Sequence, residues 1–217
     1  MRGLIYLLVI TIFLSCNNER VLELPEIENA EVTEVLDVSP AYIFYDETQP
    51  DSTLFNRKNL IGTTNWLVNV DKRLTLKQAI PHIQYLQDKR KKASMHKNEA
   101  AKNYFTCNDK SIKNLGFVEF TDVNYSFNNQ KNIVIENSIT MTVESLSEIR
   151  FSLPFDVNFE LSQYNLSHIF TMISKNYGKE TTLTLSISKN LRFNDYIYLK
   201  AILSNFDERV SKDEFIY

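Results

Sequence analysis

Between Ile149 and Leu161 every second residue is apolar, and Ile149, Phe151, Leu153, Phe155, Val157, Phe159 and Leu161 alternate with polar positions and Pro154. A period of two is the signature of a strand with one buried face. Pro154 donates no ladder hydrogen bond, which predicts an edge strand or a break into two shorter strands near that point. Leu166, Ile169, Phe170, Ile173 and Tyr177 then share a helical face, with Asn165 as N-cap and Gly178 as the left-handed stop. Residues 181–188 alternate again through Leu183, Leu185 and Ile187. Asn194 or Asp195 caps a second helix that turns Tyr196, Leu199, Ile202, Leu203 and Phe206 inward, and Phe215-Ile216-Tyr217 ends the chain as a short strand.

Upstream the pattern is similar but less regular. Trp66 to Val70 reads as a strand, and Leu76, Ile80, Ile83 and Leu86 mark a helix within residues 74–92. Thr75 and Gln78 form a capping-box pair, Pro81 predicts a late start or a kink, and Lys89, Arg90, Lys91 and Lys92 oppose the helix dipole at its end. Strands follow at residues 104–108 and around Phe117, Val118, Phe120 and Val123, the latter ending in an Asn128-Asn129 turn. Tyr42, Phe44 and Tyr45 alternate like core residues of a strand. The chain is therefore expected to be α+β: two successive strand-helix-strand units, the second with βαβαβ order, in mixed sheets with helices packed on one face. The units are placed at residues 38–145 and 146–217.

Residues 1–37 belong to neither unit. Arg2 precedes an apolar run at residues 4–14 that stops at Cys16, and Asn17, Asn18, Glu19 and Arg20 follow at once. A membrane-spanning helix needs about 20 apolar residues, so this run reads as an export signal covering residues 1–15. Phe13-Leu14-Ser15-Cys16 resembles the lipobox of bacterial lipoproteins, with Phe13 where the pattern usually has Leu. The resemblance implies that Cys16 becomes the first residue and carries the acyl chains of a stable membrane anchor, palmitate among them. Asn17 in place of a retaining aspartate favours the outer membrane. Glu19, Glu23, Glu26, Glu28, Glu31, Glu34 and Asp37 then read as a solvated acidic tether over residues 16–37.

With 24 Lys+Arg against 27 Asp+Glu among 217 residues, the net charge of −3 disfavours nucleic acid as a partner. The 43% hydrophobic content supports a packed core. Once Cys16 is acylated, Cys107 is the remaining thiol; it has no disulfide partner and reads as a buried small hydrophobe. Four glycines leave no phosphate-cradling loop, so no nucleotide is expected, and no cofactor is assigned. His96 and Glu99 have HxxE spacing, His82 and His168 lie on separate predicted helices, and a metal needs three or four ligands, so no metal site is assigned. Asp51-Ser52-Thr53 resembles the O-glycosylation sequon of Bacteroidota envelope proteins, and its composition equally suits an ordinary turn.

Lys89, Arg90, Lys91, Lys92, Lys97 and Lys102 concentrate positive charge in an otherwise acidic chain, as a candidate patch for anionic headgroups, acidic polysaccharide or an acidic partner. The βαβαβ order, with Arg192 and Phe193 at a helix start, resembles the periplasmic domain of the ExbD/TolR family across residues 149–217. That family couples proton flow through a membrane carboxylate, and residues 4–14 contain none, so the resemblance implies fold alone. Three readings follow. The first is a lipid-anchored cell-envelope protein that binds or scaffolds an envelope partner. The second is an envelope-polymer hydrolase using carboxylates such as Asp109, Glu119 and Asp122. The third is an accessory protein of energised envelope transport. Cys16→Ala is expected to abolish incorporation of labelled palmitate and to leave the precursor uncleaved; label retained by the variant would remove this cysteine from that role.

Overall fold

The computed structural model describes residues 20–92, 98–128, 138–152, 158–161, 175 and 181–217. Its first sheet is built from β1 (Glu26–Ile27), β2 (Val38–Tyr45), β3 (Thr53–Asn56), β4 (Asn65–Val70), β5 (Asn103–Asp109) and β6 (Asn114–Glu119), with helix α1 (Leu76–Lys92) between β4 and β5. The second contains β7 (Asn124–Phe127), β8 (Ser138–Ser145), β9 (Glu148–Ser152), β10 (Asn158–Leu161), β11 (Thr182–Ile187) and β12 (Val210–Ile216). Helix α2 (Phe193–Leu203) and a 3-10 segment, Ser204–Arg209, connect β11 to β12. Both sheets are mixed and mostly parallel. In the first, β2, β4, β5 and β1 are parallel, with β3 antiparallel at one edge and β6 at the other. The second runs β10-β9-β8-β11-β12-β7, with antiparallel pairing confined to β8, β9 and β10.

Local sequence accounts for most of these elements. Gln78 Oε1 accepts from the Thr75 N–H at 2.9 Å, the half of the capping box that satisfies the N-cap amide, and the Thr75 hydroxyl donates to the same oxygen at 2.9 Å. Leu76, Ile80, Ile83 and Leu86 are all buried, and Pro81 sits inside the helix at an exposed position. The alternating run from Ile149 divides into β9 and β10, which pair antiparallel with Phe159 opposite Phe151; Pro154, at the expected break, lies outside the described residues. The helix expected at residues 165–177 lies outside the described residues. Three expectations are corrected. Helix α2 begins earlier, with Arg192 at the N-cap, because Asn194 turns its side chain to β1 and accepts from the Glu26 N–H (3.1 Å). The strand expected around Phe117 to Val123 divides at Phe120, so that β6 and β7 lie in different sheets. Tyr42 and Phe44 stack on each other at 5.7 Å on the face opposite the core, and their neighbours Ala41 and Ile43 point inward.

The two halves repeat one construction. Val68 to Leu76 matches Leu185 to Phe193 position by position, although Lys72/Lys189 and Leu74/Leu191 are the identical pairs. Each strand exits alike: Asp71 N–H donates to Ile43 O (2.9 Å) and Ser188 N–H to Val143 O (2.8 Å). Each loop turns alike, with Leu74 N–H on Asp71 O (3.2 Å) and Leu191 N–H on Ser188 O (3.0 Å). The loops then pair with each other. Leu76 N–H donates to Leu191 O (3.0 Å) and Phe193 N–H to Leu74 O (2.7 Å); Lys77 N–H donates to Lys189 O (2.8 Å) and Asn194 N–H to Lys72 O (3.3 Å). Reciprocal contacts of this kind define a local two-fold axis beside the Thr75–Arg192 bridge. The inner faces of both sheets and both helices form one core that includes Ile43, Trp66, Phe105, Met141, Phe151 and Leu185. Within it Phe105 and Phe120 stack at 3.8 Å, and Phe193 meets Phe105 edge-on at 5.2 Å.

The stretch read as a solvated tether is built into the fold from Glu23 onward. Pro25 and Ile27 are buried, β1 pairs with β5, and Val32 pairs with Phe117. Gly116 makes this passage possible: a Cβ there would lie 2.6 Å from Ala30 Cβ and 3.0 Å from Ile27 Cδ1. Asp109 fastens the crossing, accepting from Ala30 N–H (2.7 Å), Ser111 N–H (2.8 Å) and the Ser111 hydroxyl (2.6 Å). These donors, the Ser111 hydroxyl foremost, hold its pKa down at about 2. An unfolded aspartate titrates near ~3.9, so the stabilisation is full above that value and is lost as pH falls through about 2. Asp109→Asn is expected to lower the melting temperature at pH 7, with the gap from the parent closing between pH 4 and pH 2; a gap constant across that range would contradict this account.

Candidate functional site

Helix α2 lies between the two sheets. Phe193 and Tyr196 meet Phe105 of the first, and Tyr196 and Lys200, one turn apart on the same face, meet Glu214 of the second. Register makes Glu214 the counterpart of Phe105, since Val68 pairs with Phe105 and Leu185 with Glu214. The second half thus places a carboxylate where the first places an aromatic ring. Glu214 is fully buried, and it accepts from Tyr196 Oη (2.8 Å) and from Lys200 Nζ (2.6 Å). Because the Tyr196 hydroxyl donates to Glu214, its oxygen accepts from Tyr125, 3.0 Å away. Burial and the Glu214 charge push both phenols well above their ordinary pKa, so they remain donors.

Lys200 also borders a cleft of about 350 Å³. Its walls come from the crossing segment Ile27–Val32, from the passage between sheets at Phe117–Val123, and from α2 and the start of β12 through Leu203, Val210 and Lys212. The size lies at the lower end for a small-ligand site. Apolar surface from Phe117, Phe120 and Val123 sits beside Lys102, Glu119, Asp122, Lys200 and Lys212. Lys102 ion-pairs Glu119 at 2.8 Å. The cleft therefore offers charges of both signs beside apolar side chains, which suits recognition of a polar or charged group.

The sequence-derived candidates scatter. Of the cationic patch, Lys89, Lys91 and Lys92 are exposed at the end of α1, and Lys97 and the acylation candidate Cys16 lie outside the described residues. Lys102 belongs to the cleft. Arg90 leaves the patch entirely: it is 8% exposed, stacks 4.0 Å over Trp66 and donates to Thr64 O (3.1 Å). Burial lowers its pKa to about 10, which keeps it charged at neutral pH. Of the carboxylates, Glu119 and Asp122 reach the cleft, whereas Asp109 is the fastening described above. Cys107 is buried, and burial raises its thiol pKa, as expected of a small hydrophobe. His82 is paired with Thr53 at 3.2 Å and packs at a tilt against Phe55, and burial pushes its pKa down. His96 and His168 lie outside the described residues, and Thr53 of the sequon is buried with its hydroxyl on Asp51 (2.7 Å).

Comparison with family models, with curated proteins and with solved structures finds no match for this chain.

Sequence reading missed Glu214 and Lys200. One signal was present, since Glu214 stands between Val210 and Ile216 at positions that alternate as strand core. Removing one partner of a buried ion pair leaves an uncompensated charge and typically costs about 3–5 kcal/mol, whereas apolar replacement of both is often neutral. Lys200→Met alone is expected to destabilise by that amount in urea denaturation, and Lys200→Met/Glu214→Met to recover part of the loss, the remainder being the Tyr196 hydroxyl left without its acceptor. Equal losses in the two variants would show that the pair is not coupled.

Proposed function

We propose that this chain is a lipid-anchored cell-envelope protein, the outer membrane being the favoured site, whose folded domain binds an envelope partner through the cleft beside Lys200. The observation that carries the reading is the Lys200–Glu214 pair, buried at a position the other half fills with Phe105. An ion pair in such a place adds little net stability over apolar packing, and charged groups at clefts cluster with function. The lipobox-like Phe13-Leu14-Ser15-Cys16 supplies the anchor in this reading. Among the described residues no helix is long and apolar enough to cross a membrane. The ExbD/TolR resemblance enters as fold alone.

Affinity capture of the lipoprotein from its own membrane under mild cross-linking tests the proposal. A stable envelope partner is expected with the parent chain and is expected to be lost with Lys200→Met/Glu214→Met, its folding checked by a cooperative urea transition. Equal capture by both chains, or none by either, would remove the cleft from the function.

A further inference from the structure

We propose that the gap between the diverging ends of β4 and β5 is a binding site for an extended acidic peptide, filled in this chain by its own residues 23–27. The two-fold comparison reveals the gap. In the second half β11 and β12 pair from Leu183/Val210 to Ile187/Ile216 and continue, with Tyr217 N–H on Ile187 O (3.0 Å) and Lys189 N–H on Tyr217 O (2.9 Å). In the first half β4 and β5 pair only from Trp66/Asn103 to Val68/Phe105. Beyond that point the segment takes over the unpaired edges. Lys72 N–H, the counterpart of Lys189, donates to Glu23 O (2.8 Å), and Asn108 and Lys110 N–H groups donate to Pro25 O (2.8 Å) and Ile27 O (3.0 Å). Main-chain pairing of this kind is how sheets accept a peptide strand.

Side chains around the gap define what it accepts. Glu23 lies 3.4 Å from Arg73 and 3.5 Å from Lys72; Glu26 lies 3.1 Å from Lys72 and also pairs with Lys110. The Lys110 and Lys72 ammonium groups hold the Glu26 carboxyl below its ordinary pKa. One residue on, Ile27 is 2% exposed in the space left by Gly116. Asn194 of the other half accepts from the Glu26 N–H. The ligand is thus an extended strand with carboxylates three residues apart, an apolar residue directly after the second, and proline tolerated between them. The segment is joined to β2 by a run whose Glu28, Asn29, Glu31, Thr33, Glu34 and Asp37 are exposed.

A consequence rests on the lipid anchoring proposed above. With the segment docked, residues 17–22 reach at most about 20 Å from Cys16; with it released, residues 17–29 reach about 40 Å before the fastening of Ala30 to Asp109. A partner strand of the same pattern, taking the gap in trans, exchanges the short tether for the long one.

The test uses the full mature chain and a fluorescein-labelled peptide of residues 21–29 (VLELPEIEN). Glu23→Lys/Glu26→Lys/Ile27→Asp empties the gap and is expected to bind the peptide at least ten-fold tighter than the parent in fluorescence anisotropy. Gly116→Val added to that variant abolishes the gain, and a peptide carrying the three substitutions does not bind. A triple variant that melts cooperatively yet binds no tighter than the parent overturns the proposal. Where the triple variant does not fold, the parent sequence is cut at a protease site placed between Thr33 and Leu36, and excess labelled peptide is added. Exchange of the cleaved segment for the peptide supports the site, and a cut protein that takes up no label overturns it. Cys16→Ala leaves both readouts unchanged, so failure of the anchoring alone shows as lost membrane recovery with peptide binding intact.

Discussion

The first N–H groups of a helix have no partner within it, and here those of α1 and α2 find theirs in each other's approach loops. Leu76 and Lys77 donate to Leu191 and Lys189, while Phe193 and Asn194 donate to Leu74 and Lys72. These groups are close to the core, where an unpaired backbone donor is costly. Each half therefore supplies part of what the other's helix needs. The reciprocal pairing fixes α2 between the sheets and brings Phe105, Phe193 and Tyr196 together.

Near-symmetry makes two of its violations informative. At the first, Glu214 stands where the other half has Phe105, and Lys200 and Tyr196 follow as the groups that make its burial tolerable. At the second, β4 and β5 separate after Val68 and Phe105, and residues 23–27 satisfy the opened edges. Both departures replace a locally simpler arrangement by one with more charge. Such conflicts between local economy and the observed structure concentrate at functional places. The two share one crossing segment, whose Ile27–Val32 stretch lines the cleft and whose Glu23 to Ile27 stretch fills the gap.

Much of the framework was legible in the sequence because its causes are local. The Thr75–Gln78 cap, the inward face of α1, the alternation of β11 and the burial of Cys107 each follow from a few neighbouring residues. The functional candidates fared differently, since charge in a sequence carries no direction. Arg90 and Lys91 are adjacent in a basic run, yet one stacks under cover on Trp66 and the other is exposed, a difference set by the helical turn and by what the sheet offers it. The acidic stretch from Glu23 looked solvated because its cations, Lys72, Arg73 and Lys110, are far away in the chain.

What the sequence by itself determined is the α+β character with mixed sheets, the strands at β4, β5, β9 and β11, the helices α1 and α2, and the burial of Cys107. Periodicity, caps and an apolar run act over a few residues and need no partner to be read. Tertiary structure alone decided that β6 and β7 part into different sheets, that two dissimilar stretches obey one two-fold axis, and that Glu214 is buried against Lys200. It also decided that an acidic run becomes a strand. Each of these depends on pairing and desolvation between residues far apart in the chain, and neither is encoded at any single position.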